Sequence, residues 1–113
     1  MSTNKVSSGR NITQVAPSGG VTSGVPILIG TALFGVPTTT AAAGASFNLE
    51  RGIEITYTAE GAGSGQAWAV GDQIYWDNTN KRFTKTSSGN TLVGTATAAK
   101  LTAATSGQLV LTA

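Results

Sequence analysis

The sequence predicts an all-β fold: a small antiparallel β-barrel or β-sandwich carried by a single domain with a flexible N-terminal arm. Three observations carry this expectation. Short runs of β-forming residues recur along the chain, separated by Gly, Pro, Asn and Ser turn signals. One of them, Ile53-Glu54-Ile55-Thr56-Tyr57-Thr58, alternates apolar and polar side chains at a period of two, the mark of a half-buried antiparallel strand. Between two further runs lies Asn78-Thr79-Asn80, a hairpin turn built from residues that tolerate unusual backbone angles.

Taken in order, residues 1–9 are small and polar and end in Ser7-Ser8-Gly9, which reads as a mobile arm ahead of a β-rich domain over 10–113. Asn11 to Val15 is the first strand, closed by the turn Pro17-Ser18-Gly19-Gly20. Val25-Pro26-Ile27-Leu28-Ile29 follows, with a proline that suits a strand start or an edge. Leu33-Phe34-Gly35-Val36 is closed by Pro37; the break at Gly30 allows either two strands or one bent strand. Thr38 to Ser46 is rich in Thr and Ala, has no apolar stripe and reads as a loop. After the strand at 53–58 come a flexible loop, Gly61 to Gly65, and then Trp68, Val70 and the turn Gly71-Asp72. The hairpin pairs Gln73–Asp77 with Lys81–Lys85, the turn Ser87-Ser88-Gly89-Asn90 leads into Thr91–Thr97, and Gln108–Thr112 is the last strand. Ala98 to Ala104 is compatible with a short helical turn, and no internal repeat is present.

Composition narrows the chemistry. A chain of 113 residues with 40% apolar content, much of it alanine, relies on seven aromatics (three Phe, two Trp, two Tyr) for its core. Small domains with thin cores draw extra stability from disulfides, metals or association. The chain has no Cys and no His, which removes disulfides, thiolate sites and the commonest transition-metal ligand, and leaves association. Net charge is +2 with only 11% charged residues, so the basic balance reflects scarcity of charge and not a basic face. Lys81, Arg82 and Lys85 are the one basic cluster and read as a solvated hairpin edge. No run approaches the roughly 20 apolar residues of a membrane span, and no signal peptide is visible, so synthesis in the bacterial host cytoplasm is expected.

Catalytic patterns are wanting. Gly61 to Gly65 is followed by Gln66 and Ala67, where a phosphate-binding loop needs Lys and Ser/Thr leading into a helix. Nucleophile–histidine pairs cannot be assembled without His. Glu50, Glu54, Glu60, Asp72 and Asp77 are the carboxylates available for acid–base work. Alternation puts Glu54 on an exposed face, and Asp72 and Asp77 flank a strand where Asp commonly accepts bonds from nearby backbone N–H groups. Their reading is structural. Trp76 shares a face with Ile74 and belongs to the core, Tyr75 points the other way, and Trp68 is placed in the core or a subunit contact. No cofactor, metal or catalytic residue is expected.

Several segments resemble the phage capsid cement, or head decoration, family. They are Ala16-Pro17-Ser18-Gly19-Gly20-Val21-Thr22-Ser23-Gly24-Val25-Pro26 with Ile29-Gly30, and Leu33-Phe34-Gly35-Val36. Ala67-Trp68-Ala69-Val70-Gly71-Asp72-Gln73-Ile74-Tyr75-Trp76-Asp77 matches the family's middle. Gly89-Asn90-Thr91-Leu92-Val93-Gly94-Thr95-Ala96 and Ser106-Gly107-Gln108-Leu109-Val110-Leu111 match its later parts, all in the family's order from about residue 10 onward. Some relatives carry a RecA/RadA-type recombinase label, which the missing phosphate loop and short chain argue against. The resemblance implies a non-enzymatic virion protein on the outer capsid surface of a tailed phage. Its implied partners are the major capsid protein and further copies of itself, as a trimer or dimer, with no membrane and no specific nucleic acid. The expected partner contacts are Lys5, Val6 and Arg10 in and beside the arm, and Thr39 and Thr40 in the Thr/Ala loop. The competing reading is a nucleic-acid-binding recombination accessory protein using Lys81, Arg82 and Lys85.

Overall fold

The computed structural model describes residues 10–61 and 65–112. The expected arm over 1–9, with Lys5 and Val6, and the centre of the glycine-rich loop lie outside the described residues. Among those described, every regular element is a strand: β1 (Asn11–Val15), β2 (Ile27–Ile29), β3 (Leu33–Pro37), β4 (Ser46–Glu50), β5 (Glu54–Thr58), β6 (Gln73–Asp77), β7 (Arg82–Thr84), β8 (Thr91–Ala96) and β9 (Ser106–Leu111). They form two antiparallel sheets, ordered β1-β4-β3-β2 and β5-β9-β8-β6-β7. Of the two architectures the sequence allows, the structure takes separate sheets over one closed barrel. Contacts along the chain fall into two compact units, one ending at Gly52 and the other spanning Ile53–Thr112.

In the first unit, β1 pairs along its whole length with β4, Ile12 opposite Leu49 and Gln14 opposite Phe47. Alternation then sends Phe47 and Leu49 inward, where they join Ala16 and Val21, with Ile12, Ile27, Ile29, Leu33 and Ala41 packed around them. The apolar runs either side of Gly30 are two strands joined as a hairpin, Ile27 opposite Gly35 and Ile29 opposite Leu33. Gly30 takes φ 68°, a conformation that strains any residue with a Cβ. Strand β4 was not expected: Ser46 opens it, so the loop ends at Ala45.

The second unit is built around β6. Ile74 and Trp76 are fully buried, together with Phe83, Val93 and Leu109. Trp76 and Phe83 meet edge to face at 4.9 Å between centroids, and Tyr57 closes the cluster at 6.1 Å from Phe83. Such pairs add stability beyond the apolar area they bury. Between Ile74 and Tyr75 the β6–β8 register shifts: Ile74 faces Gly94 while Tyr75 faces Leu92. The sheet's two end strands approach at a single parallel bridge, Ala59 to Phe83. Ala98 to Ala104 holds no helix beyond a single turn, closed by the Ala104 N–H donating to the Leu101 carbonyl at 3.0 Å. Lys100 instead bridges to Trp68, and Thr97 N–H donates to the Gln108 carbonyl at 3.1 Å. These tertiary backbone bonds override the alanine-rich local preference.

Candidate functional site

Of the expected contact residues within the described range, Arg10, Thr39 and Thr40 are all exposed. Arg10 precedes β1 and its guanidinium reaches the Gly52 carbonyl at 3.4 Å. Thr39 and Thr40 follow β3. A row of side chains joins these places: Asn48 Nδ2 donates to Asn11 Oδ1 at 3.1 Å and to Thr38 Oγ1 at 3.2 Å. Thr40 Oγ1 accepts the Ser23 N–H at 3.0 Å, and Ser23 Oγ donates to the Thr38 carbonyl at 3.1 Å. The loop after β3 is thereby fastened to the turn at 22–24, and Arg10 and Thr39 flank a surface of amides and hydroxyls that also carries Glu50, opposite Asn11 on the same sheet face as Asn48. A surface of this kind offers amides and hydroxyls for hydrogen bonding to a partner.

The basic cluster on the β6–β7 hairpin is occupied by carboxylates. Arg82 lies 3.6 Å from Glu60 and 3.9 Å from Asp77, and Lys85 Nζ lies 3.0 Å from Asp72. Lys81 Nζ donates to Asn78 Oδ1 at 2.9 Å. Phosphate binding draws on cations free to release counterions, and these face Glu60, Asp72, Asp77 and Asn78.

The carboxylates read as structural in sequence also act structurally. Asp77 Oδ1 accepts the N–H groups of Thr79 and Asn80 at 3.0 and 3.2 Å, and Oδ2 accepts Asn80 Nδ2 at 2.7 Å. Asp72 Oδ2 accepts the Ala69 N–H at 2.8 Å. The Asn80 bond holds the Asp77 carboxyl below its ordinary range, and the Ala69 bond does the same for Asp72. Glu54, exposed on β5, is lowered by the Gln108 amide, which donates to its Oε2 at 2.9 Å. Among the described residues, no group of three acidic side chains converges to hold a metal.

Sequence reasoning passed over two buried polar features of the second unit. Lys100 is only 6% exposed. Its ammonium donates to the carbonyls of Gln66 at 2.9 Å, Glu60 at 3.0 Å and Leu101 at 3.1 Å, and lies 5.7 Å from the Trp68 ring centroid. Burial pushes its pKa down, opposed by the nearby Glu60 charge. The second feature is Thr84, 1% exposed, whose Oγ1 donates to Glu60 Oε1 at 2.7 Å and also lies 3.2 Å from Gln66 Oε1. Gln66 Oε1 accepts the Lys85 N–H at 3.1 Å, and its Nε2 donates to Thr86 Oγ1 at 3.2 Å. No local motif announces either feature, because the bonds from Lys100 to Glu60 and Gln66, and from Thr84 to Glu60 and Gln66, span 18 to 40 residues.

Comparison with known proteins returned no match among curated proteins or solved structures. A family model described as phage cement protein matches residues 6–111. That range takes in all nine strands and all but the first five and last two residues of the chain. The chain belongs to the phage cement protein family.

Proposed function

We propose that this protein binds the outer surface of a tailed-phage capsid through the major capsid protein and stabilises the head, acting as a homo-oligomer. The observation that carries the reading is the family match over residues 6–111; cement proteins are structural components of the phage particle and associate with its capsid. Physical features support it. The surface carrying Arg10, Asn11, Thr39 and Asn48 offers exposed amides and hydroxyls for hydrogen bonds across an interface. Individually weak contacts repeated over a symmetric shell act together by avidity.

In this reading residues 10–113 are the decorating domain, and Lys5, Val6, Arg10, Thr39 and Thr40 contact the capsid or a neighbouring copy. The protein is made in the bacterial host cytoplasm and remains on the outside of the virion. The test compares heads lacking the protein with the same heads after its addition, following the temperature at which they rupture. Rupture at higher temperature supports the reading, and an unchanged threshold at saturating protein removes it. Deleting residues 1–9 separately tests the arm: capsid affinity should fall, and unchanged affinity would show that Lys5 and Val6 make no contact.

A further inference from the structure

We propose that β1 is where two copies of this chain join, edge to edge and antiparallel, about a two-fold axis through Thr13. The bonding of β1 to β4 points to this. At the ends of the strand, the Arg10 carbonyl accepts the Arg51 N–H at 2.6 Å and the Ala16 N–H donates to the Ala45 carbonyl at 2.8 Å. Both pairs continue the β1–β4 register, in which Asn11 faces Glu50 and Val15 faces Ser46. Main-chain groups alternate in direction along a strand, so residues 10, 12, 14 and 16 bond toward β4. The N–H and C=O groups of Asn11, Thr13 and Val15 therefore point away from it. β1 stands at the end of its sheet, and among the described residues no strand meets those groups.

The other strand edges are short or closed. β2 has three residues and follows Pro26. β5 and β7 approach each other at Ala59 and Phe83, where the Glu60 N–H also donates to the Phe83 carbonyl at 2.8 Å. Proteins guard a long open edge with Lys, Pro or a bulge. Asn11-Ile12-Thr13-Gln14-Val15 has no charge and no proline, and it pairs with β4 in unbroken register. A second copy fits this edge because the outward groups are centred on Thr13. With the axis there, Thr13 faces Thr13 of the second copy and Asn11 faces Val15 of the second copy. Each such pair exchanges two bonds, about six in all. Val15, 60% exposed, gains a neighbour across the axis. Like charges stay apart, since Arg10 comes opposite Ala16 of the second copy and the two Glu50 carboxylates lie toward opposite ends of the strand pair. The contact is isologous, so it closes as a dimer. This deepens the homo-oligomer part of the function proposed above and rests on that part alone.

Sedimentation equilibrium of the purified full-length protein, without capsids, tests this. Five residues a side make a small interface, so association should be weak. Up to about 1 mM, the apparent mass should rise from that of one chain toward that of two. Thr13→Pro removes an outward N–H, a place where an edge strand accepts proline, and should hold the mass at one chain with an unchanged far-UV spectrum. The chain has no cysteine, so single-Cys variants report the register. Directly opposed residues lie within disulfide reach. Oxidised Thr13→Cys should therefore give a covalent dimer, and Asn11→Cys, which faces Val15 of the second copy, should not. A wild-type chain that stays monomeric would overturn the proposal and leave the edge to another strand, the chain's own arm or a capsid segment. Equal crosslinking of the two Cys variants, or association that survives Thr13→Pro, would overturn it as well. No head is present in these experiments, so their failure is distinct from a failure of head binding.

Discussion

Gly107→Ala would place a methyl group where the second unit has no room for one. A Cβ at Gly107 would lie 2.3 Å from Trp68 Cζ3 and 2.4 Å from Cη2. Carbon atoms settle at roughly 3.5–4.0 Å, so more than about 1 Å of separation must be found. The indole cannot easily supply it. Trp68 N–H donates to the Lys100 carbonyl at 2.9 Å, Lys100 N–H donates back at 3.0 Å, and the Lys100 ammonium lies over the ring. Because the obstruction is a rigid ring on a pinned backbone, the cost should sit at the upper end of overpacking, about 3 kcal/mol. At roughly 4–8 °C per kcal/mol for a domain near this size, Tm should fall by about 12–24 °C. Urea unfolding followed by tryptophan fluorescence measures it. Pairing the change with Trp68→Leu should give a loss well short of the sum of the two single losses, since the smaller side chain relieves the clash. A Gly107→Ala protein within about 0.5 kcal/mol of wild type, or a strictly additive pair, would refute the reasoning.

Three further outcomes follow from the same contacts. Lys100→Met removes the donor shared by the Glu60, Gln66 and Leu101 carbonyls and should destabilise by about 2–4 kcal/mol in urea titration; a neutral result would mean that water replaces the ammonium. Asp72, Asp77 and Glu54 titrate below their ordinary values of 3.8, 3.8 and 4.5 in the fold. Their contribution is therefore complete above about pH 4.5 and lost as pH falls through the lowered values, and Asp77→Ala should flatten this acid limb in thermal melts. Lys81 takes φ 55° in the hairpin turn, so Lys81→Gly should raise stability by about 0.5–1 kcal/mol, the relief of the left-handed conformation less the added freedom of the unfolded chain.

Strands whose alternation stands between clear turn residues were legible in the sequence. Residues 53–58 and the 73–85 hairpin have this form, and β5, β6 and β7 lie there. Ser46-Phe47-Asn48-Leu49-Glu50 also alternates, and its buried Phe47 and Leu49 are the signal that could have revealed β4. Gly44, at φ 86° in a turn just before the strand, is the signal that marks where the loop ends, and the surrounding Ala and Thr obscure it. The Ala98–Ala104 stretch makes only a single turn at 101–104, since the Lys100 backbone is claimed by Trp68 from elsewhere in the unit. Lys100 was illegible for a different reason. Its partners are main-chain carbonyls, which every residue possesses, so no residue type marks them. Glu60, Gln66 and Thr84 are ordinary in sequence and become a buried hydrogen-bonded cluster only when the fold closes the distance between them. For the proposed contact surface, the sequence singled out Arg10, Thr39 and Thr40 as expected contacts but not Asn48, which ties their neighbours Asn11 and Thr38 together.

The central claim is capsid decoration, and co-sedimentation tests it most directly. Purified protein is mixed over a range of concentrations with expanded heads that lack it, and the copies carried down are counted against capsid subunits. The account predicts saturation at a fixed ratio set by the symmetry of the shell, with little dependence on added DNA. Absence of saturable binding to cognate heads, together with DNA affinity that falls steeply with salt, would contradict it.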